Sequence, residues 1–268
     1  MKNEKTVLPP HGYFRTSSAE AEIQPKAMRL SDLAAEDFGF SAPLAGVNIT
    51  RTTSYGFPVM TSSLKDGTYH TVVCGRIWES DALTRRALVK AVSELISSYT
   101  KNMRRCLIAG IGNPDIPADA LGAKICSRVI SSRDTAAPVF VICPMTEGRT
   151  GIDTAVYIKA IADAVRPDVI IAADALCAKS RERLQSVIQI SDCGITPGSA
   201  LSRTKGEISR KTMPCPVVTI GVPTVISTAS MNEDDPEPLL VTRADSDIIT
   251  DCYASVIASA VNSAIFGK

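Results

Sequence analysis

Apolar residues along the chain change their spacing from block to block, and each spacing predicts an element. Between Asp81 and Met103, Leu83, Ala87, Leu88, Ala91, Val92, Leu95, Ile96 and Tyr99 recur three and four apart, the stripe of an amphipathic helix packed on a sheet. Ahead of it, Val47–Ser54 and Thr68–Ile77 are rich in β-branched residues and predict two strands, forming a hairpin or a sheet edge. Beyond it, short apolar runs alternate with helical spacing: strand 106–111, helix 119–131, strand 138–143, helix 151–165, strand 168–173, a short helix near 175–184, and strands 186–191 and 216–221. A closing helix, 245–265, turns Ile248, Ile249, Cys252, Val256, Ile257 and Val261 to the core. Such alternation predicts an α/β fold: a mostly parallel sheet covered by helices on both faces.

The first 32 residues, with Pro9, Pro10 and Pro25 and no sustained periodicity, read as a leader and a possible propeptide. Leu30–Glu36 offers a short helical turn that Ser31 or Asp32 would cap. Residues 33–268 then form one α/β domain, interrupted by an exposed loop at Ile226–Pro238. With 45% apolar residues in 268, the chain is long enough to bury a sizeable core. Its 29 basic and 28 acidic residues nearly cancel and aromatics are 5%, so neither nucleic acid nor an anionic membrane is expected as a partner. No uninterrupted apolar run reaches the roughly 20 residues of a membrane span, and no signal-peptide core follows Met1–Lys5; the expected location is cytoplasmic. The eight cysteines form no Cys-x-x-Cys pair and read as reduced thiols filling the core.

Candidate chemistry concentrates at strand ends. The run 106–109 stops at Gly110-Ile111-Gly112, passes Pro114 and Pro117, and enters a helical pattern at Asp119. In an α/β sheet such a turn lies outside the carboxyl ends of the strands, where ligands bind. A second buried run, Val169–Ala173, ends in Asp174. Each acid is either a cap for the helix that follows or a functional group; both precede Ala-Leu, and both should reach the same rim. Two carboxyl groups brought together divide their roles, one keeping its proton while the other activates water.

Three loops complete the expected cleft. Gly148–Thr154 opens a helix where free amides favour developing negative charge, Gln189–Ser199 ends a strand in glycine and proline, and Ile220–Val225 ends another. Other chemistries lack their parts. His11 and His70 have no evident nucleophile to serve, no His or Cys cluster has zinc spacing, and Gly110-x-Gly112 meets Asp115 where a dinucleotide site has a third glycine. No cofactor is expected.

With these residues set out, the chain resembles the germination protease family of spore-forming bacteria, endopeptidases that degrade the small acid-soluble proteins of spores. The matching pieces are Gly110–Asn113 with Pro117–Gly122, Thr150–Thr154, Pro167–Leu176, Ile188–Asp192 with Gly194-Ile195 and Pro197–Ser199, and Ile220–Val225. The resemblance implies an aspartic-type peptidase with Asp119 and Asp174 as its catalytic pair. It also implies substrate contacts at Asn113, Gly151, Asp192, Gly198 and Ser199, and a zymogen trimmed at a junction near Asp32 and Leu33. A homotetramer and a fold similar to hydrogenase maturation proteases follow from the same resemblance. Family members carry a longer segment between the Val-Pro-Thr-Val strand end and the last helix, and Cys193 stands where they have a hydroxyl residue. Two further readings stay open: a relative that binds spore proteins or a full-length protease without cutting, and a metal-dependent maturation-type peptidase using the same carboxylates.

Overall fold

The computed structural model describes residues 48–64, 66–132, 137–198, 206–230, 235 and 239–267. The expected leader, the turn at Leu30–Glu36, the Asp32–Leu33 junction, Ser199 and most of the 226–238 loop lie outside them.

Strands β1 (Asn48–Ser54), β2 (Phe57–Leu64) and β3 (Gly67–Val73) form an antiparallel meander. Tyr55 and Gly56 both have positive φ, 48° and 86°, the two-residue turn whose twist matches that of a hairpin. Pro58 and the polar run Thr61-Ser62-Ser63 hide β2 from its sequence pattern, so the two expected strands are the outer members of a three-stranded unit. β3 pairs antiparallel with β7 (Val187–Ser191), and β7 with β8 (Val217–Ser227). From β8 the sheet continues in parallel through β6 (Val169–Ala178), β4 (Cys106–Gly110) and β5 (Val139–Ile142). β9 (Leu240–Val241) pairs antiparallel with the end of β8.

The strand order is therefore β1-β2-β3-β7-β8-β6-β4-β5, and the expected parallel sheet is confined to its last four strands. The reason lies in the connections. Helices bridge β4 to β5 and β5 to β6, whereas only the turn 179–186 separates β6 from β7, too short for a parallel crossover.

Helices cover both faces. Alternate residues of the central strands divide between two cores: Cys106, Ile108, Ile171 and Ala173 pack with α1 (Ala82–Thr100), α2 (Leu121–Cys126) and α5 (Ser246–Phe266). Leu107, Ala109, Ile170 and Ala172 pack with α4 (Thr154–Val165) and with Ile195, Ile208 and Met213. Each large apolar side chain buried this way contributes about 1.5–3 kcal/mol. The stripe predicted for α1 is present at Leu88, Ala91, Val92 and Ile96, and Asp81 caps the helix by accepting from the Thr84 amide at 2.7 Å. Leu83 and Ile248, expected inside, face outward at 72% and 64% exposure, each in the first turn of its helix. Among the described residues α5 is the one helix long and apolar enough to cross a membrane; half of it is buried in the fold, through Ile249, Tyr253, Ile257 and Val261.

One helix expected from sequence is absent. Residues 175–178 continue β6, because they pair with Val222–Ile226 of β8. The helical propensity of Ala-Leu-Cys-Ala yields to a ladder already running through the sheet. Likewise α2 is shorter than 119–131, and Ala120 rather than Asp119 stands at its start.

Candidate active site

The loop after β4 closes on its own carboxylate. Gly112 holds φ 113°, and a Cβ there would stand 2.0 Å from the Asp119 carbonyl oxygen, so only glycine lets the chain fold back this tightly. The Asn113 amide donates to Asp119 Oδ2 at 2.7 Å, and the Asp119 amide donates to the Ile116 carbonyl at 2.8 Å. The Asn113 side-chain oxygen accepts from the Asp115 amide at 3.1 Å. Asn113 thus shapes the loop with both its backbone and its side chain.

A second strand fixes the loop from outside. Thr224 is the additional residue of β8 where its pairing with β6 shifts between Leu176 and Cys177. Its hydroxyl donates to the Ala118 carbonyl at 2.5 Å, and its own carbonyl accepts from the Thr242 hydroxyl at 2.6 Å. The sequence shows a threonine in an apolar strand end; what it holds is visible only in three dimensions.

Asp174 lies inside β6, level with Gly221 of β8, and is 6% exposed. Its Oδ1 accepts from the Ala175 amide at 2.8 Å. The expected alternative, that it caps a helix over 175–184, falls with that helix. Strand alternation sets Asp174 between Ala172 and Leu176, on the face shared with α4. The Ile111 amide donates to the Ala173 carbonyl at 2.8 Å, joining the root of the Asp119 loop to the residue before Asp174. Gly122 passes through the same spot: a Cβ on it would stand 2.3 Å from the Ile111 carbonyl oxygen and 2.6 Å from that of Ala173. The two acids therefore flank one end of the β4–β6 pair. One is buried and one is half-buried; a carboxyl pair is a chemistry that can provide a general acid and a general base.

The remaining candidates divide. Gly151, exposed at φ 70°, terminates the single turn α3 (Glu147–Thr150), and its amide is bonded to the Glu147 carbonyl at 2.7 Å. The amides at the start of α4, expected to be free for an anion, are taken by Asp153 Oδ1 at 2.8 and 3.0 Å. Asp153 Oδ2 also accepts from Gly206 at 3.1 Å. An ion pair from Arg149 to Asp115 links α3 to the Asp119 loop.

Asp192 goes elsewhere. β7 runs against β8, with Ser191 level with Thr219, so Asp192 lies three rows, about 10 Å, back along the strands from Asp174. There its Oδ1 accepts from the Thr68 amide at 2.6 Å. The expected convergence of four strand ends on one rim is corrected accordingly: β7 points the other way. Gly198, half-buried at φ 72°, lies on the segment that follows β7. Among the described residues, no three His, Cys, Asp or Glu side chains come together as a cluster able to hold a metal ion.

Comparison with known proteins sets this geometry in context. The family model described as germination protease matches residues 41–240. The germination protease of Priestia megaterium is 36% identical over 186 residues, covering 63% of this chain and 50% of that protein. Those of Bacillus mycoides and Bacillus cytotoxicus are 34% and 35% identical over 205 residues, each covering 70% of this chain and 56% of the relative. The chain thus spans about half the length of the curated relatives it matches. Among solved structures, the [NiFe] hydrogenase maturation protease HycI from Thermococcus kodakarensis aligns over 64% of this chain and 98% of its own, at TM-score 0.43 and 18% identity. With the family model matching well over half of its residues, the chain belongs to the germination protease family.

Proposed function

We propose that this protein is an aspartic-type endopeptidase that degrades small acid-soluble spore proteins during germination, with Asp119 and Asp174 as its catalytic pair. One carboxylate draws a proton from water as the water attacks the peptide carbonyl, and the other, protonated, donates to the oxygen and then to the leaving amine. The pair titrates as a unit, so acid and base are properties of the pair rather than of one residue. The observation that carries this reading is the bond from Ile111 to the Ala173 carbonyl, which ties the Asp119 loop to the strand bearing Asp174 in a chain of the germination protease family. Asn113, which holds Asp119, is on this reading a positioning residue, and Gly151 and Gly198 lie on segments bordering the substrate path.

The same proposal has the chain made as a zymogen, trimmed near Asp32 and Leu33, assembled as a homotetramer and acting in the spore interior. The test is a mass-spectrometric time course of a purified small acid-soluble spore protein incubated with the chain and with its Asp174→Asn variant. Specific fragments from the wild type alone are expected. Equal fragmentation by both would overturn the catalytic pair, and intact substrate retained in a complex with the wild type would overturn the peptidase reading in favour of a non-cutting binder.

A further inference from the structure

The expectation that the cysteines are reduced thiols filling the core fails most clearly at Cys143, which is exposed. Cys126 ends α2 and is buried; Cys143 follows β5 and is exposed. Cys126 lies against the end of β5, where Cys143 follows. Cys126 Sγ donates to the carbonyl of Ile142, the residue before Cys143, at 3.4 Å, and it lies 2.6 Å from where Gly110, next after the Ala109 that pairs with Ile142, would carry a Cβ. The interaction between the two side chains favours the Cys143 thiolate, holding its pKa below the usual thiol range and pushing that of Cys126 up. Burial drives Cys74 and Cys106 the opposite way, to about 12, and Cys215 to about 11. An exposed thiolate beside a buried thiol is the arrangement of an attacking and a resolving cysteine.

We propose that Cys143 is a covalent modification site for low-molecular-weight disulfides, with Cys126 as its resolving thiol. In the first step the Cys143 thiolate attacks one sulfur of the disulfide, forming a mixed disulfide and releasing one small thiolate. In the second, Cys126 loses its proton to that thiolate or to solvent and attacks Cys143 Sγ, releasing the second small thiol. One external disulfide is reduced to two thiols, and the two protein thiols are oxidised to one Cys126–Cys143 bond.

The position of the bond gives it a consequence. α2 follows directly on the Asp119 loop, and the chain from Cys143 leads into α3, whose Arg149 already pairs with Asp115 of that loop. The bridge closes a second link between the same two segments and rigidifies the rim beside Asp119 without touching either acid. The inference stands apart from the peptidase reading, because it concerns thiol chemistry alone.

The test uses the full chain and glutathione disulfide as probe, read by peptide mapping, with rapid thiol labelling at pH 7 on the reduced protein. Cys143 is expected to label about ten-fold faster than Cys215 or Cys252. Glutathione disulfide is expected to yield a cross-linked peptide joining residues 126 and 143, with slowed amide exchange across 111–126. Cys126→Ala should leave Cys143 as a persistent mixed disulfide, and Cys143→Ser, at an exposed position, should give neither product. Labelling of Cys143 no faster than Cys215, or a glutathione adduct persisting on Cys143 while Cys126 is present, would overturn the assignment.

Discussion

The loop after β4 and the loop after β7 start from similar sequence and end in different places. Each follows a fully buried five-residue strand, each contains a tight glycine, and each delivers an aspartate gripped by a backbone amide. Asp119 is held within its own loop by Asn113, at the carboxyl edge of the parallel strands. Asp192 is held by Thr68 of another strand, because β7 runs antiparallel and carries it away from that edge. The carboxylate of Asp119 is built into a loop braced by β6 and β8; that of Asp192 fastens a meander to the sheet. Strand direction, not local sequence, separates the surroundings of these two carboxylates.

The largest effect should come from the acids themselves. Asp119→Asn and Asp174→Asn are each expected to keep the fold and lower the cleavage rate by about 10²–10⁴-fold, measured on a small acid-soluble spore protein. Asp192→Ala is the counterpart: it should preserve the cleavage rate and lower stability by about 1–3 kcal/mol in denaturant titration, the loss of a charged acceptor for one amide. A loss of turnover in this variant as large as that of Asp174→Asn would erase the distinction between the two loops.

The brace beneath the site is tested next. Gly122→Ala places a Cβ against two backbone carbonyls that have no room to move, and should cost about 1–3 kcal/mol or more, a fall of about 2–4 °C in Tm for each kcal/mol. Gly148→Ala, in the exposed turn α3 with no atom within 4 Å of its Cβ position, should be neutral or stabilising by up to about 1 kcal/mol. Similar Tm changes in the two variants would show that the β4–β6 junction is looser than its contacts imply.

The smallest effect is a pH dependence at the opposite edge. Asp168 accepts from the Arg104 and Arg105 amides, both at 2.8 Å, and these bonds hold its carboxyl below the usual range. A depressed folded pKa adds stability above the unfolded value near 4, and that stability is lost as the pH falls through the folded value. Asp168→Asn should therefore be slightly less stable than wild type at pH 7, with the gap closing in acid; a gap constant from pH 7 to pH 2 would refute this cause.

Much of this was legible in the chain. The stripe of α1, the buried runs of β4 and β6, and the glycine turn before Asp119 follow from residue spacing, because apolar periodicity reports which face a segment buries. Asp119 and Asp174 could be paired as candidates because parallel strands present their carboxyl ends together. β2 was hidden by Pro58, and the extension of β6 through Ala178 was hidden by residues that favour helix when no neighbour offers a ladder.

What the sequence by itself determined is the α/β class, the glycine turn that leads to Asp119, and membership of the germination protease family, all carried by local pattern and motif. Tertiary structure alone decided three things: that β7 turns Asp192 away, that Thr224 and the Ala173 carbonyl brace the Asp119 loop, and that Cys126 bonds the Ile142 carbonyl beside Cys143. Each is a contact between residues far apart in the chain. Strand order and direction set such contacts through ladder hydrogen bonds that are blind to residue type, so no local pattern records them.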